Sequence, residues 1–401
     1  MAKSSLLLAV IAVVCSASCA LAEPKQYDDG ASDVEIKIGQ TMPHSGPASV
    51  NGVIGRTYEA YFQMINENGG INGRRVTFLS EDDAFSPPKT VEATRRLVEQ
   101  EGVLGLVGSL GTAPQLAVQK YLNAKRIPQI LLNTGASRWN NPKNFPWTTP
   151  ALPLYTTEGR IDAKYVLRAK PAAKIAILYQ NDDFGRDFAK AFKEALAEGG
   201  SQASVVAEAS YELTDPTIEA QIVKLWQSGA DTFLNISLGK ATAQAIRKAS
   251  EVGWKPLHLL VSVSASLPVL QAAGAEESKG IVTAVYLKDP NAPQWSNDPS
   301  VREFQAFRAR YLPNVASDNF YAFAAWSQAV ILRRVLENCG NELTHENLLK
   351  QATSLKGVAA PAFLPGVTFT MTPTDYAPIR TLYMQTFNGK DWDVSDAPVS
   401  D

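Results

Sequence analysis

The segment VLGLVGSLGTAPQ, Val103–Gln115, runs from an apolar stretch into a Gly108-Ser109-Leu110-Gly111-Thr112 loop that opens a helix. Such a turn can carry a nucleophile, a phosphate or another anion. A nucleophile elbow requires Gly-x-Ser-x-Gly. Gly111 stands two residues after Ser109, but Val107 stands two before it, so an exported serine hydrolase using Ser109 has only half of its pattern. Neither G-x-G-x-x-G nor G-x-x-x-x-G-K-[ST] occurs, and no nucleotide or other cofactor is expected. The loop does offer small residues that let a ligand approach the backbone. It also offers the hydroxyls of Ser109 and Thr112 beside the unpaired amides of a first helical turn. That combination favours an anion. Thr112 as a simple helix cap is the competing reading, and the two are compatible.

A loop of similar chemistry, Thr134-Gly135-Ala136-Ser137, follows the next strand-like segment. Both loops fall at the carboxyl ends of neighbouring strands, where open α/β sheets bind ligands. Phe85, Trp139, Tyr155 and Phe184 are the aromatic candidates for such a cleft, each equally suited to a core. His44, His258 and His345 lie far apart, and HENLL at 345 lacks the second histidine of a zincin. They read as surface or loop histidines, and neither a metal site nor a catalytic residue is expected.

The elements that must position these loops alternate regularly. From Val34, strand-like VEIKIGQT is followed by helix-like NGVIGRTYEAYFQMINENGG, whose Ile54, Tyr58, Tyr61, Phe62 and Ile65 recur at spacings of three and four. The rhythm continues through RRVTFLSED, PPKTVEATRRLVEQEG, VLGLVGS, APQLAVQKYLNAKR and IPQILLNT, up to an irregular, proline-rich stretch from Gly135 to Thr157. A second βα series runs from Glu158 to about Ser264. Two helical stretches, Asp298–Leu312 and Asp318–Gly340, a further helix beginning at a Thr344 cap, and a strand-like C-terminal part come after it. Alternation of this kind predicts α/β lobes with parallel sheets and helices on both faces. The C-terminal surplus is too small for a third domain and predicts that the chain returns to complete both lobes.

Residues 1–22 have the layout of a secretory leader, with Lys3, an apolar run Leu6–Val14 and Ala20-Leu21-Ala22. Cys19 lacks the leucine three positions earlier that a lipid-anchored leader carries. Removing the leader takes Cys15 and Cys19 and leaves Cys339 alone, so no intramolecular disulfide is expected. The 38 basic residues, one of them Lys3, against 40 acidic ones give a mature net charge near −3. With no basic run, nucleic acid and anionic membrane are not expected partners.

The opening IKIGQTMPHSGPAS with Ser45, NGGINGRRVTFLSEDD, GLVGSLGTA, ILLNTGAS and KIAILYQNDDFGR together resemble the periplasmic solute-binding proteins of the branched-chain amino acid ABC transporter family. The resemblance covers nearly the whole mature chain in order. It implies two Rossmann-like, doubly wound lobes joined by a three-crossing hinge that close over a ligand. The expected lobes are 34–148 plus about 286–362, and 149–285 plus about 363–392, with 1–22 as leader. The family's ligand carboxylate is bound by the loops matching Ser109, Leu110, Gly111 and Thr112, and Ala136 and Ser137, and the aromatic matching Phe184 closes over it. An ABC permease is the implied partner of a monomeric, periplasmic receptor.

Two departures bear on the ligand. Amino acid binders of this family place an acidic residue after the strand that here reads HLLVSVSAS, to pair with the ligand ammonium. This chain has Ser262, Ser264 and Ser266 there and no carboxylate. Leu238-Gly239-Lys240 replaces tyrosines of those binders. An ammonium buried without its partner costs several kcal/mol. The expected ligand is therefore an aromatic or aliphatic acid lacking an α-amine, with a branched-chain or other amino acid as the alternative, and alanine at Ser109 and Thr112 is expected to weaken its binding.

Overall fold

A computed structural model describes residues 25–401. The leader with its cleavage site and Cys15 and Cys19 lies outside the described residues. A short strand β1 (Gln26–Tyr27) precedes β2 (Glu35–Met42), α1 (Val53–Glu67), β3 (Arg75–Asp82), α2 (Pro87–Arg95), β4 (Leu106–Val107), α3 (Thr112–Lys125), β5 (Gln129–Leu132) and β6 (Thr148–Pro150). Strands β2 to β6 form one sheet in the order β3-β2-β4-β5-β6, with every neighbour parallel. The last five residues of β2 are all buried, as a strand covered on both faces must be. In α1 the apolar residues picked out by their spacing, Ile54, Tyr58, Tyr61, Phe62 and Ile65, are buried.

The chain then builds α4 (Tyr155–Ala169), β7 (Lys174–Gln180), α5 (Asp183–Glu198), β8 (Ser204–Tyr211), α6 (Glu219–Gln227), β9 (Thr232–Ile236), α7 (Gly239–Glu251), β10 (Leu257–Leu260), α8 (Leu267–Ala273) and β11 (Val282–Val285). After these come α9 (Pro299–Tyr311), α10 (Phe320–Cys339), β12 (Glu342–Leu343), α11 (His345–Ala352), β13 (Thr381–Phe387), β14 (Trp392–Val394) and β15 (Val399–Ser400). The second sheet has the order β14-β13-β11-β10-β9-β7-β8, with β15 beside β13.

Three passages connect the two sheets. The chain leaves the first sheet after β6. It returns after β11, when α9 and α10 pack on α1 with the Phe307 and Tyr61 rings 6.2 Å apart. It crosses again to place β13 antiparallel to β11. The unusually apolar α10 buries Phe323, Trp326, Ala329, Leu332 and Leu336 in the core it shares with α1. The result is a pair of doubly wound α/β lobes.

Several local features differ from the sequence reading. β4 contains two residues only, although an apolar run surrounds it. β6 lies within the stretch read as irregular. β1 pairs in parallel with β12, an association between segments over three hundred positions apart that no local pattern announces. His258 is neither a surface nor a loop residue: it is buried in β10, 3.3 Å from the Asn235 side chain and 4.6 Å from the centre of the Phe233 ring. Burial holds its pKa down to about 3, so the imidazole is neutral. Thr344 caps α11, its Oγ1 accepting the Asn347 N–H at 3.2 Å. Among the described residues, no helix is long and apolar enough to cross a membrane.

Candidate ligand-binding cleft

Each sheet has a point where strand order reverses. In the first, the segments after β2 and β4 diverge, α1 covering one face and α3 with α2 the other. In the second, those after β7 and β9 diverge likewise. Ligands of open α/β sheets bind at such points because the diverging loops leave a crevice. Here the two crevices open into one cavity of about 260 Å³. From the first lobe it is lined by Pro47, Asn51, Ile54, Leu110, Gly111 and Thr112, and from the second by Gln180, Asp182, Phe184, Leu238, Gly239 and Lys240.

The first-lobe wall is set by a strained turn. Gly111 has φ +99°, and a Cβ there would stand 2.6 Å from Cε2 of Phe85. Phe85 and Ala84 themselves adopt φ +58° and +49°, unusual for residues with a side chain. Two carboxylates hold them: Asp82 accepts the Ala84 N–H at 3.0 Å, and Asp83 accepts the Phe85 N–H and the Thr90 hydroxyl, each at 2.9 Å. Thr112 is the first residue inside α3, not its cap, and its Oγ1 lies 2.6 Å from Thr134 Oγ1. The first amides of α3 have no acceptor within their helix. Pro114 has no N–H and the Gln115 N–H donates to the Gly111 carbonyl at 3.1 Å, which leaves the Thr112 and Ala113 amides, next to the point where Gly111 and Thr112 line the cavity.

Other expected site residues stand behind this wall. Ser109 is fully buried, and its Oγ accepts the Thr41 N–H at 3.0 Å, tying β2 to the loop after β4. It does not line the cavity, and the expected donation from its hydroxyl to a ligand has no counterpart in this arrangement. Ser45 gives its N–H (3.1 Å) and hydroxyl (2.5 Å) to Asp82. Ala136 and Trp139 are core residues, with Trp139 Nε1 donating to Thr134 Oγ1 at 3.3 Å. Ser137 turns away from the cavity and donates its N–H and hydroxyl to Asp187 of α5 at 2.7 and 2.6 Å, a bond between lobes. By contrast Phe85, Leu110, Gly111, Thr112, Phe184, Ser262 and Ser264 all line the cavity, and Phe184 packs edge-on against Tyr155 at 5.1 Å.

The rest of the wall contains what sequence reasoning missed. Tyr211, Tyr286 and Tyr321 all line the cavity, although the loop after β9 carries none. Each stands at or just beyond the end of a strand or at the start of a helix, a position that listing the strand ends would have singled out. Acidic residues also reach the cavity: Asp182, Glu212, Asp215, Asp289 and Asp318, beside Lys240. Asp182 is the cap of α5, one oxygen accepting the Gly185 N–H at 3.2 Å and the other the Gln180 amide at 2.6 Å. Burial raises its pKa above the usual carboxylate range, and that of Asp289.

The loop after β10 also has a carboxylate nearby that its own sequence lacks. Glu158, in the first turn of α4, accepts the Ser262 N–H at 2.6 Å and the Ser262 hydroxyl at 2.7 Å. It is 2 % exposed. Reading the loop alone therefore understated the acidity of this region, though both Glu158 oxygens are spent on the protein and the residue does not line the cavity.

Two α/β lobes thus enclose a shared, largely apolar cavity at their strand ends. A family model described as periplasmic binding protein matches residues 35–391, and the chain belongs to that family. The Leu/Ile/Val-binding protein homolog 7 of Brucella abortus is 25% identical over 293 residues, covering 70% of this chain and 72% of the relative. Among solved structures, a branched-chain amino acid ABC transporter protein of Thermus thermophilus with bound valine superposes with TM-score 0.81 at 18% identity, covering 92% of this chain and 98% of that one. A solute-binding protein of R. palustris in complex with benzoate gives TM-score 0.75 at 20% identity, with 91% and 97% covered. The fold is thus that of the two-lobed periplasmic binding proteins.

Proposed function

We propose that this chain is exported to the periplasm, where as a monomer it traps a small carboxylate-bearing solute between its lobes and hands it to a membrane permease. The solute is an aromatic or aliphatic acid without an α-amine. The observation that carries this reading is the open first turn of α3 at Gly111 and Thr112, beside an otherwise apolar wall of Ile54, Leu110, Phe85 and Phe184. Amides and a helix N-terminus suit a carboxylate. Two or three hydrogen bonds to it at roughly 1.5–3 kcal/mol each, with apolar area contributing about 25 cal/mol per Å², support micromolar binding after association costs.

The absence of an amine follows from where the acids are spent. Glu158 is held by Ser262, Asp182 caps α5, and Asp215 accepts the Glu212 N–H at 2.9 Å. A buried ammonium would have to share acceptors already used in these bonds, or turn to Asp289 or Asp318 on the wall. Isothermal titration with benzoate, a short aliphatic acid, leucine and valine separates the possibilities: binding of the acids with none of the amino acids is expected, and the reverse pattern overturns the reading.

An amino acid ligand is favoured by one observation, the Asp182 carboxyl, which stands half-buried at the cavity wall without a cationic partner among the described residues. In that case Asp182→Asn abolishes leucine binding. If the solute lacks an amine, the same change leaves benzoate affinity within about threefold, since no charge pair is lost.

A further inference from the structure

The wall formed by the 3-10 turn Ser262–Ser264 meets the cavity along its whole length; its Ser264 hydroxyl donates to the Ser237 carbonyl at 2.6 Å, and side chains of two helices hold it as well. Tyr321 of α10 donates its hydroxyl to the Val263 carbonyl at 3.1 Å. Glu158 of α4 takes both donors of Ser262. One helical turn further along, Asp162 is fully buried, and neither of its carboxyl oxygens has a hydrogen-bond partner. An ionised carboxylate in such a position would be prohibitively desolvated, so Asp162 is a neutral acid.

The surroundings contain no compensating cation. α5 packs Phe188, Ala191 and Phe192 around Gly159 on this helix. Tyr286, at the end of β11, and Tyr155, on α4 itself, are the other titratable groups that sense Glu158. No lysine, arginine or histidine acts on either carboxyl among the described residues. Within this apolar shell only the two Ser262 donors stabilise a negative charge, and they reach Glu158 alone.

We propose that Glu158 is a positioning residue: without touching the solute it fixes the Ser262–Ser264 wall of the cleft, and the proton it gains or loses beside neutral Asp162 sets how firmly that wall is held. The inference rests on the cavity being the solute site, but the behaviour of the wall is measurable without any solute. Ionised, Glu158 accepts both Ser262 donors as charge-assisted bonds, about twice as strong as neutral ones. Protonated, it keeps weaker bonds, and the turn loosens. Burial pushes its pKa up to about 7, so the change falls within the ordinary working range. The sign is that of an acid whose folded pKa is raised: between its ordinary pKa and about 7 the folded protein binds the extra proton, so global stability falls as pH rises through that window while the wall tightens.

Hydrogen exchange of the ligand-free protein, read at the amides of Ser262–Ser264 and corrected for intrinsic rates, tests this. Glu158→Ala is expected to speed exchange there by at least about tenfold, the scale of one lost charge-assisted bond. Glu158→Gln, whose amide can still accept from the Ser262 N–H and donate to its hydroxyl, is expected to restore protection. In the wild type, protection falls as pH is lowered from 8 to 6; in Glu158→Gln it stays flat. Should Glu158→Ala not fold, Ser262→Ala, which removes one donor, must give an intermediate increase. Unchanged exchange in Glu158→Ala, or a pH response that persists in Glu158→Gln, overturns the proposal. Titration of the same variants with benzoate and with leucine shows whether the loosened wall weakens capture by a similar factor. Altered exchange with neither probe bound leaves the role of Glu158 standing and removes the reading of the solute.

Discussion

At the residue scale the loop after β4 divides its labour differently from what its sequence suggests. Two hydroxyls invited a shared role, but Ser109 faces inward to Thr41 and Thr112 faces Thr134. The part open to a solute is backbone, made accessible by Gly111. Ser109→Ala is therefore expected to act on stability: it leaves the buried Thr41 N–H unpaired at a cost of about 1–3 kcal/mol, visible as a lower urea midpoint with little change in solute affinity at saturating fold. Gly111→Ala is the change expected to damage binding, because it combines a left-handed φ with a Cβ set against the Phe85 ring. Displacing that ring should weaken solute binding by at least tenfold in calorimetry while the circular dichroism spectrum remains that of the wild type. Side-chain identity was legible in the sequence. The direction each side chain takes was not, since it depends on β2 and β5 packing beside the loop.

At the element scale, hydrophobic spacing located α1 and α10 well, because their buried faces contact a continuous core and the pattern must follow the contact. The short strands were harder. β4 contributes two residues, and the pairing of β1 with β12 arises only after the long return through α10. Loops at strand ends pointed to Gly111, and the family resemblance to Phe184 and Ser262. Glu158 escaped because it sits inside a helix and reaches a loop more than a hundred positions later in the chain. Its only local sign was an acidic residue in a first turn, which any helix start favours.

At the scale of the whole molecule, the two lobes are in contact through Ser137 and Asp187, with Arg138 and Asp183 3.9 Å apart alongside. The three passages between sheets are the connections about which the lobes would move. If closure traps the solute, these bonds contribute to the closed state and compete with nothing in the cavity. Asp187→Ala is expected to enlarge the radius of gyration of the ligand-free protein in small-angle scattering and to weaken solute binding about three- to tenfold, the worth of a bond or two to a charged group at a partly exposed site. An unchanged radius together with unchanged affinity would show that the contact does not govern closure.

Cys339 has a practical consequence. Its thiol is buried at the end of α10, donates to the Val335 carbonyl at 3.3 Å, and is pushed up to about 12 by burial. A thiol that is neither accessible nor ionised reacts negligibly with maleimides. Within residues 25–401 it is the sole cysteine, so these residues offer a chemically silent background. A single cysteine introduced on the rim, at Lys240 or Asn51, can then carry a fluorophore whose emission follows the lobes directly. The natural sequence is in this sense already prepared for conversion into an optical reporter of its own solute.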